Sequence, residues 1–257
     1  MSRNIFVIPL LFLSLISFQS YGEAFDDLVE RKGLFYKKFT DTPFTGKVTG
    51  KTQGVITNGR RNGPWVIAHR TFLTVSKGDY KDGRKEGVWD YFYNGGLIQK
   101  WIFKKGLKEG PALTYSYSGE LSEKGAYKND KRDGTWETYQ NSGQLFQKQD
   151  WTNGKLNGLT LSYRATGLLS FSGYYKNDRF DGLWSYYDSN GNLSSKKTFK
   201  DGEIEGPTIG YHRNGQLWFK GSYKNSEKDG DWVEYEKDGA INLKQTGTYR
   251  NDKKISH

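Results

Sequence analysis

The side chains able to do chemistry are few, and their spacing is the first thing to test. Only three histidines occur, His69, His212 and His257, far apart and with no recurrent acid or nucleophile partner beside them. No phosphate-cradling glycine loop, zinc-protease helix or nucleophile elbow is present. These absences point away from an enzyme, so no catalytic residue and no cofactor is assigned. Carboxylates recur at Glu86, Glu109, Asp133, Asp181, Glu205 and Asp229, and lysines at Lys81, Lys104, Lys128, Lys176, Lys200 and Lys224. A calcium site at Asn129, Asp130 and Asp133 lacks the ligand spacing of a known loop. Turn-stabilising carboxylates and alternating ion pairs explain the acids more simply, and no metal is expected.

One aromatic column has the regularity of a binding surface: Trp65, Trp89, Trp136, Trp184 and Trp232. An exposed row of indoles would stack sugars, peptides or a lipid surface, which makes these five the candidate binding residues. The same column is also explained by packing against the next unit's Tyr and Leu, since a thin sheet has few other side chains to bury.

What must position these residues is a repeat. One glycine sets its register, at Gly63, Gly87, Gly110, Gly134, Gly158, Gly182, Gly206 and Gly230, in steps of 24 with a single step of 23. Five residues further on stand Phe92, Tyr115, Tyr139, Tyr163, Tyr187, Tyr211 and Tyr235. Glycine follows at nine, beginning with Gly96 and Gly119, and Ile98 or Leu at eleven. A second aromatic column runs from Tyr80 and Phe103 to Tyr249. From Trp89 onward tryptophan occupies alternate units, with Ala112, Thr160 and Thr208 between, a superperiod of about 48 residues. Aromatic residues favour strands and Asn-Gly pairs close two-residue hairpin turns, so each unit is expected to be one β-hairpin with turns such as Asn190-Gly191. A lone hairpin is marginal in water and the units must pair side by side. The expected fold is all-β, an elongated single-layer antiparallel meander of tandem 24-residue hairpins. Trp136 and Tyr139, three apart, do not share a face of a regular strand. Either a bulge intervenes or aromatics line both faces.

The pattern Gly182-Leu-Trp-Ser-Tyr-Tyr, Asn190-Gly-Asn-Leu and Phe199-Lys-Asp-Gly-Glu-Ile-Glu-Gly206 resembles the variant MORN repeat of the bacterial YwqK family. The resemblance runs over roughly residues 27 to 252 and implies the same antiparallel ribbon. It also implies a scaffold with a protein-binding or lipid-binding surface, and the antitoxin role by which such proteins are known.

Residues 1–22 have a cationic start, an apolar run from Ile5 to Phe18 too short to span a bilayer, and small residues at Ser20 and Gly22. They read as a signal peptide cleaved after Gly22, placing the protein in the periplasm, on the cell surface or outside the cell. Residues 23–45 are then a leader or cap, and 46–257 an array of about eight units with a C-terminal half-unit. There is no cysteine, hence neither disulfide nor thiolate metal site. The formal charge of +10, one lower after loss of Arg3, favours anionic neighbours. The expected partner is another protein, a toxin if the antitoxin role applies, with a cell-wall polymer or an anionic membrane surface as alternatives. Nucleic acid is not expected, given the export signal and the row of acids.

Overall fold

A computed structural model describes residues 22–69 and 73–256, so the expected signal peptide, apart from Gly22, and His257 lie outside the described residues. Among those residues there is no α-helix, and 22 strands form one sheet. The strand Glu23–Ala24 lies parallel to Gly46–Thr49 at one end, and from there each strand pairs antiparallel with the next until Lys253–Ser256. The sheet does not close. A separate hairpin, Leu28–Arg31 with Leu34–Lys37, packs on the first unit, where Leu28, Phe35 and Phe44 are buried beside Ile56 and Trp65.

Each unit has two turns, and they differ. At Asn129-Asp130, Asn153-Gly154, Asp201-Gly202 and Asn225-Ser226 both central residues have positive φ, between 50° and 99°. The flanking residues pair directly, as in Thr152 with Lys155. These are the two-residue turns whose twist matches the strands. The other turn is not of that kind. Asp188 N donates to Asn192 O at 2.8 Å and Gly191 N to Asp188 O at 3.2 Å. Only the glycine has positive φ, 85° at Gly191. This is a three-residue loop ending in a left-handed glycine, so the two-residue turn expected at Asn190-Gly191 is corrected to three. The exception is Asn94-Gly95, where both residues are left-handed and Tyr93 pairs with Gly96. Shortening this loop by one residue produces the single 23-residue step. It also moves the column, since Gly95 rather than Gly96 is the turn glycine and Leu97 rather than Ile98 faces Phe92.

The register glycine sits in a bulge. Glu109-Gly110-Pro111 lies opposite Ile102 alone, and Glu205-Gly206-Pro207 opposite Thr198 alone. Every glycine of the column has positive φ, from 64° at Gly63 to 129° at Gly158, a conformation that costs other residues about 1–2 kcal/mol. Both answers to the parity question are found. A second bulge separates Thr138 from Tyr139, whose partners are Gln147 and Leu145. Tyr139 and Leu145 nonetheless face away from Trp136, with the Tyr139 hydroxyl donating to Glu137 at 2.7 Å.

Trp65, Trp89, Trp136, Trp184 and Trp232 form the core of the other face, each 0–3 % exposed. Each lies over a glycine of the preceding strand: Gly54, Gly78, Gly125, Gly173 and Gly221. A Cβ at any of these would meet ring atoms at 2.1–2.4 Å. The second aromatic column meets the indoles edge-on, for example Tyr127 with Trp136 at 5.0 Å and Tyr175 with Trp184 at 5.2 Å. Burial of about 200 Å² of ring is worth up to about 5 kcal/mol for each tryptophan. Where Thr160 or Thr208 replaces tryptophan, the preceding strand offers Gln149 or Lys197 in place of glycine, and the volumes exchange. Gly173→Ala is expected to destabilise the protein by about 2 kcal/mol. In a Trp184→Leu background the same change is expected to cost under about 0.5 kcal/mol, because the leucine leaves room for the methyl group. Urea unfolding of the four proteins in this cycle measures the coupling.

Candidate interaction surface

The two faces of the sheet have different chemistry. On the tryptophan face a lid residue stands two before each register glycine, a column that the spacing carries but that was not singled out from the sequence. Arg61, Lys85, Arg132 and Lys228 lie over Trp65, Trp89, Trp136 and Trp232, with the cation 4.0–5.2 Å from the ring centroid. Such contacts are worth about 0.5–2 kcal/mol where water is displaced. Lys108 covers Trp101 at 3.5 Å. In the units of Gly158, Gly182 and Gly206 the lid position is apolar, Leu156, Phe180 and Ile204, and Phe180 meets Trp184 edge-on at 4.4 Å. Burial, with Lys108 and Arg61 nearby, lowers the pKa of Lys85. The Lys85 ammonium donates to the Tyr91 hydroxyl at 2.7 Å, and burial pushes that phenol up to about 12.

The indole N–H of each core tryptophan is also engaged. Those of Trp89, Trp136, Trp184 and Trp232 donate at 2.9–3.0 Å to the carbonyls of Asp79, Ala126, Tyr174 and Ser222, ten residues earlier. Trp65 donates to Val55 O at 3.2 Å. The five residues expected to bind therefore present neither a ring face nor a free donor to solvent. The glycines beneath them were missed from the sequence although the signal was there, a constant spacing of eleven from Gly54 to Trp65 through Gly221 to Trp232. Phe146 and Trp218, each 44 % exposed, are aromatic rings that do reach solvent, and Trp218 leans on His212 at 5.8 Å.

The acids before the register glycine serve the turns. Glu86, Glu109, Asp133 and Glu205 accept at 2.7–3.1 Å from the backbone N–H that opens the following two-residue turn, at Lys105, Asn129, Asn153 and Asn225. His69 meets Ser76 Oγ at 3.2 Å, and His212 meets the Tyr235 carbonyl at 2.8 Å. Among the described residues no three His, Asp or Glu side chains gather to hold a metal.

The opposite face is open. Lysines stand on every second strand in one line, Lys77, Lys100, Lys124, Lys148, Lys196 and Lys220, with Ser172 in the fifth place. Between them the directly paired residues alternate, Asp90, Leu113, Glu137, Leu161, Ser185 and Ile209. Asp90 meets Lys100 at 3.0 Å, while Glu137 meets Lys124 at 2.9 Å and Lys148 at 3.4 Å. Beside this line Val88 and Leu183 are 47 % and 49 % exposed. The row at the two-residue turns is strongly basic, because Lys81 and Arg84, Lys128 and Lys131, Lys176 and Arg179, and Arg250 and Lys253 face one another directly. Like charges so placed repel. Among the described residues none of these eight is in an ion pair.

Residues 132–153, 180–201 and 204–225 each run from the lid residue, across the tryptophan or threonine, to the next two-residue turn. These three segments match the MORN repeat variant. No curated protein matches the chain. The MORN-type unit is thus delimited in space by its two-residue turns, and the same architecture continues through the units on either side of the matched ones.

Hydrogen bonds from Lys124 and Tyr139 hold the Glu137 carboxyl down to about 2, and the same contact raises Lys124. A carboxyl depressed in the folded protein contributes stability above its unfolded value of about 4.3 and loses it as pH falls toward the folded one. Glu137→Gln is expected to cost about 1 kcal/mol at pH 7. The difference from the parent should shrink between about pH 4 and 2, as urea unfolding followed by tryptophan fluorescence will measure.

Proposed function

We propose that this chain is a non-enzymatic scaffold whose open sheet face docks another protein along its length. The observation that carries this is the division between the faces. The tryptophan face is filled by its own core and lids, whereas the opposite face places a lysine on nearly every second strand with acid, aliphatic or serine side chains between. Repetition on a rigid surface suits an extended partner that makes the same contact several times, with each weak contact raising the effective concentration for the next. The setting is the periplasm, the cell surface or the exterior, as the reading of 1–22 as a signal peptide implies. Resemblance to the YwqK family adds a form of the same activity, in which the partner is a toxin held inactive.

The basic turn row favours a second reading, attachment to an anionic wall polymer or membrane surface, because unpaired like charges gain most from an external polyanion. Carbohydrate stacking on the tryptophan column loses its support, since those rings are covered.

A photo-crosslinking residue at Val88 or Leu183, both on the open face, should join the chain to one partner protein in envelope or culture fractions. The same residue at the fully exposed Phe39 should not. Equal yields from all three sites, or adducts with polymer alone, would sink the scaffold reading.

A further inference from the structure

The open face changes character toward its C-terminal end, along the same superperiod as the core. The residue after each tryptophan of the later units is Asp90, Glu137, Ser185 and Val233. The first two neutralise the lysines beside them. The last two cannot, and they flank Lys196 and Lys220. Ile209 lies between these lysines, paired directly with both. An open groove of about 690 Å³ covers this part of the sheet, lined by Leu183, Pro207, Ile209 and Val233 with the two lysines at its sides. The carboxylate in the lining is Asp231, and it accepts from the Thr248 hydroxyl at 2.8 Å. Among the described residues neither lysine makes an ion pair, in contrast to Lys100, Lys124 and Lys148.

From this we infer that the groove between Leu183 and Val233 is a docking site for an acidic segment of the partner protein, with two carboxylates straddling an aliphatic or aromatic side chain. The inference deepens the scaffold reading and rests on it. Lys196 and Lys220 are two strands apart, about 10 Å. In an extended peptide, which advances about 3.3 Å per residue with side chains alternating between its faces, carboxylates at positions i and i+4 share a face with the side chain at i+2 and stand about 13 Å apart, a span the flexible lysine stems reach. The apolar side chain between them then covers Ile209, removing from water a patch that the earlier units dilute with their ion pairs. A nucleic acid or wall phosphate would satisfy the lysines and leave the aliphatic floor uncovered. The acidic peptide satisfies both, and an apolar centre with charges at its rim is the ordinary anatomy of a protein interface.

The test is selection from a random twelve-residue peptide library on the chain from residue 23 to 257, with counter-selection on Lys196→Glu/Lys220→Glu. Enriched peptides are expected to carry two acids four apart with an apolar residue midway between them. They should bind the double variant at least about tenfold more weakly, and bind Lys176→Glu, at the turn row, as they bind the parent. Tryptophan fluorescence of the double variant should remain that of the parent, since neither lysine touches the core. Peptides without acids, or peptides indifferent to the double variant, overturn the inference. So does loss of binding to phosphatidylglycerol vesicles in that variant without any peptide selected, which would assign the groove to lipid. If crosslinking at Val88 still captures its partner while the groove selects nothing, the groove fails and the scaffold reading stands.

Discussion

Everything in this sheet depends on the seating of an indole ring on a bare glycine of the strand before it. A single layer has no second sheet to bury its aromatic side chains, so the ring must lie close against its own backbone. Gly54, Gly78, Gly125, Gly173 and Gly221 provide the only side chain small enough, leaving no room for even a methyl group. The indole N–H then reaches a carbonyl beside the register bulge, ten residues earlier. A buried donor left without such a partner would cost about 1–3 kcal/mol, which the geometry avoids. The lids, edge-on tyrosines and bulges all serve this arrangement. The positive φ of the register glycine permits the bulge, the bulge carries the tryptophan, and the neighbouring glycine receives it.

Filling one face in this way leaves the other free to vary. The residue after the tryptophan always points outward, so the 48-residue superperiod of the core is printed on the open face as well. There it sets the charge balance: Val66 in the first unit, the acids Asp90 and Glu137 next, and Ser185 and Val233 toward the C-terminal end. The same fold element therefore carries stability on one side and leaves the side chains of the other free to vary, and substitutions on the outer side need not disturb the inner. The acids of the turn row illustrate the opposite case. They look like a ligand surface in sequence, yet Glu86, Glu109, Asp133 and Glu205 are each spent on a backbone N–H of the next turn.

Much of the fold was legible in the sequence because the repeat is strict. The register glycine, the aromatic columns and the Asn-Asp or Asn-Gly turns together require a meander of hairpins. The distinction between the two turn types was not legible, since Asn94-Gly95 and Asn190-Gly191 share a dipeptide and differ only by one loop residue. The 23-residue step was its only trace. The glycine seats went unseen because a glycine in a strand ordinarily signals weakness. Here it is half of a matched pair. Arg61, Lys85 and Arg132 escaped for a related reason: a cation is expected in solvent, and its long apolar stem lying over a ring shows only in three dimensions. The candidate site was read as the tryptophan column because periodic aromatics signal recognition as readily as packing, and only their burial decides between the two.

The most direct measurement of this account is hydrogen exchange at the eight indole N–H groups, followed by NMR on the nitrogen-labelled protein. The five core tryptophans, each hydrogen-bonded to a carbonyl ten residues earlier, should exchange slowly, in step with the most protected strand amides. Trp101, Trp151 and Trp218, whose N–H groups lack that carbonyl, should exchange early. Eight indoles exchanging alike, or slow exchange confined to Trp101, Trp151 and Trp218, would contradict the claim that seated indoles hold the sheet together.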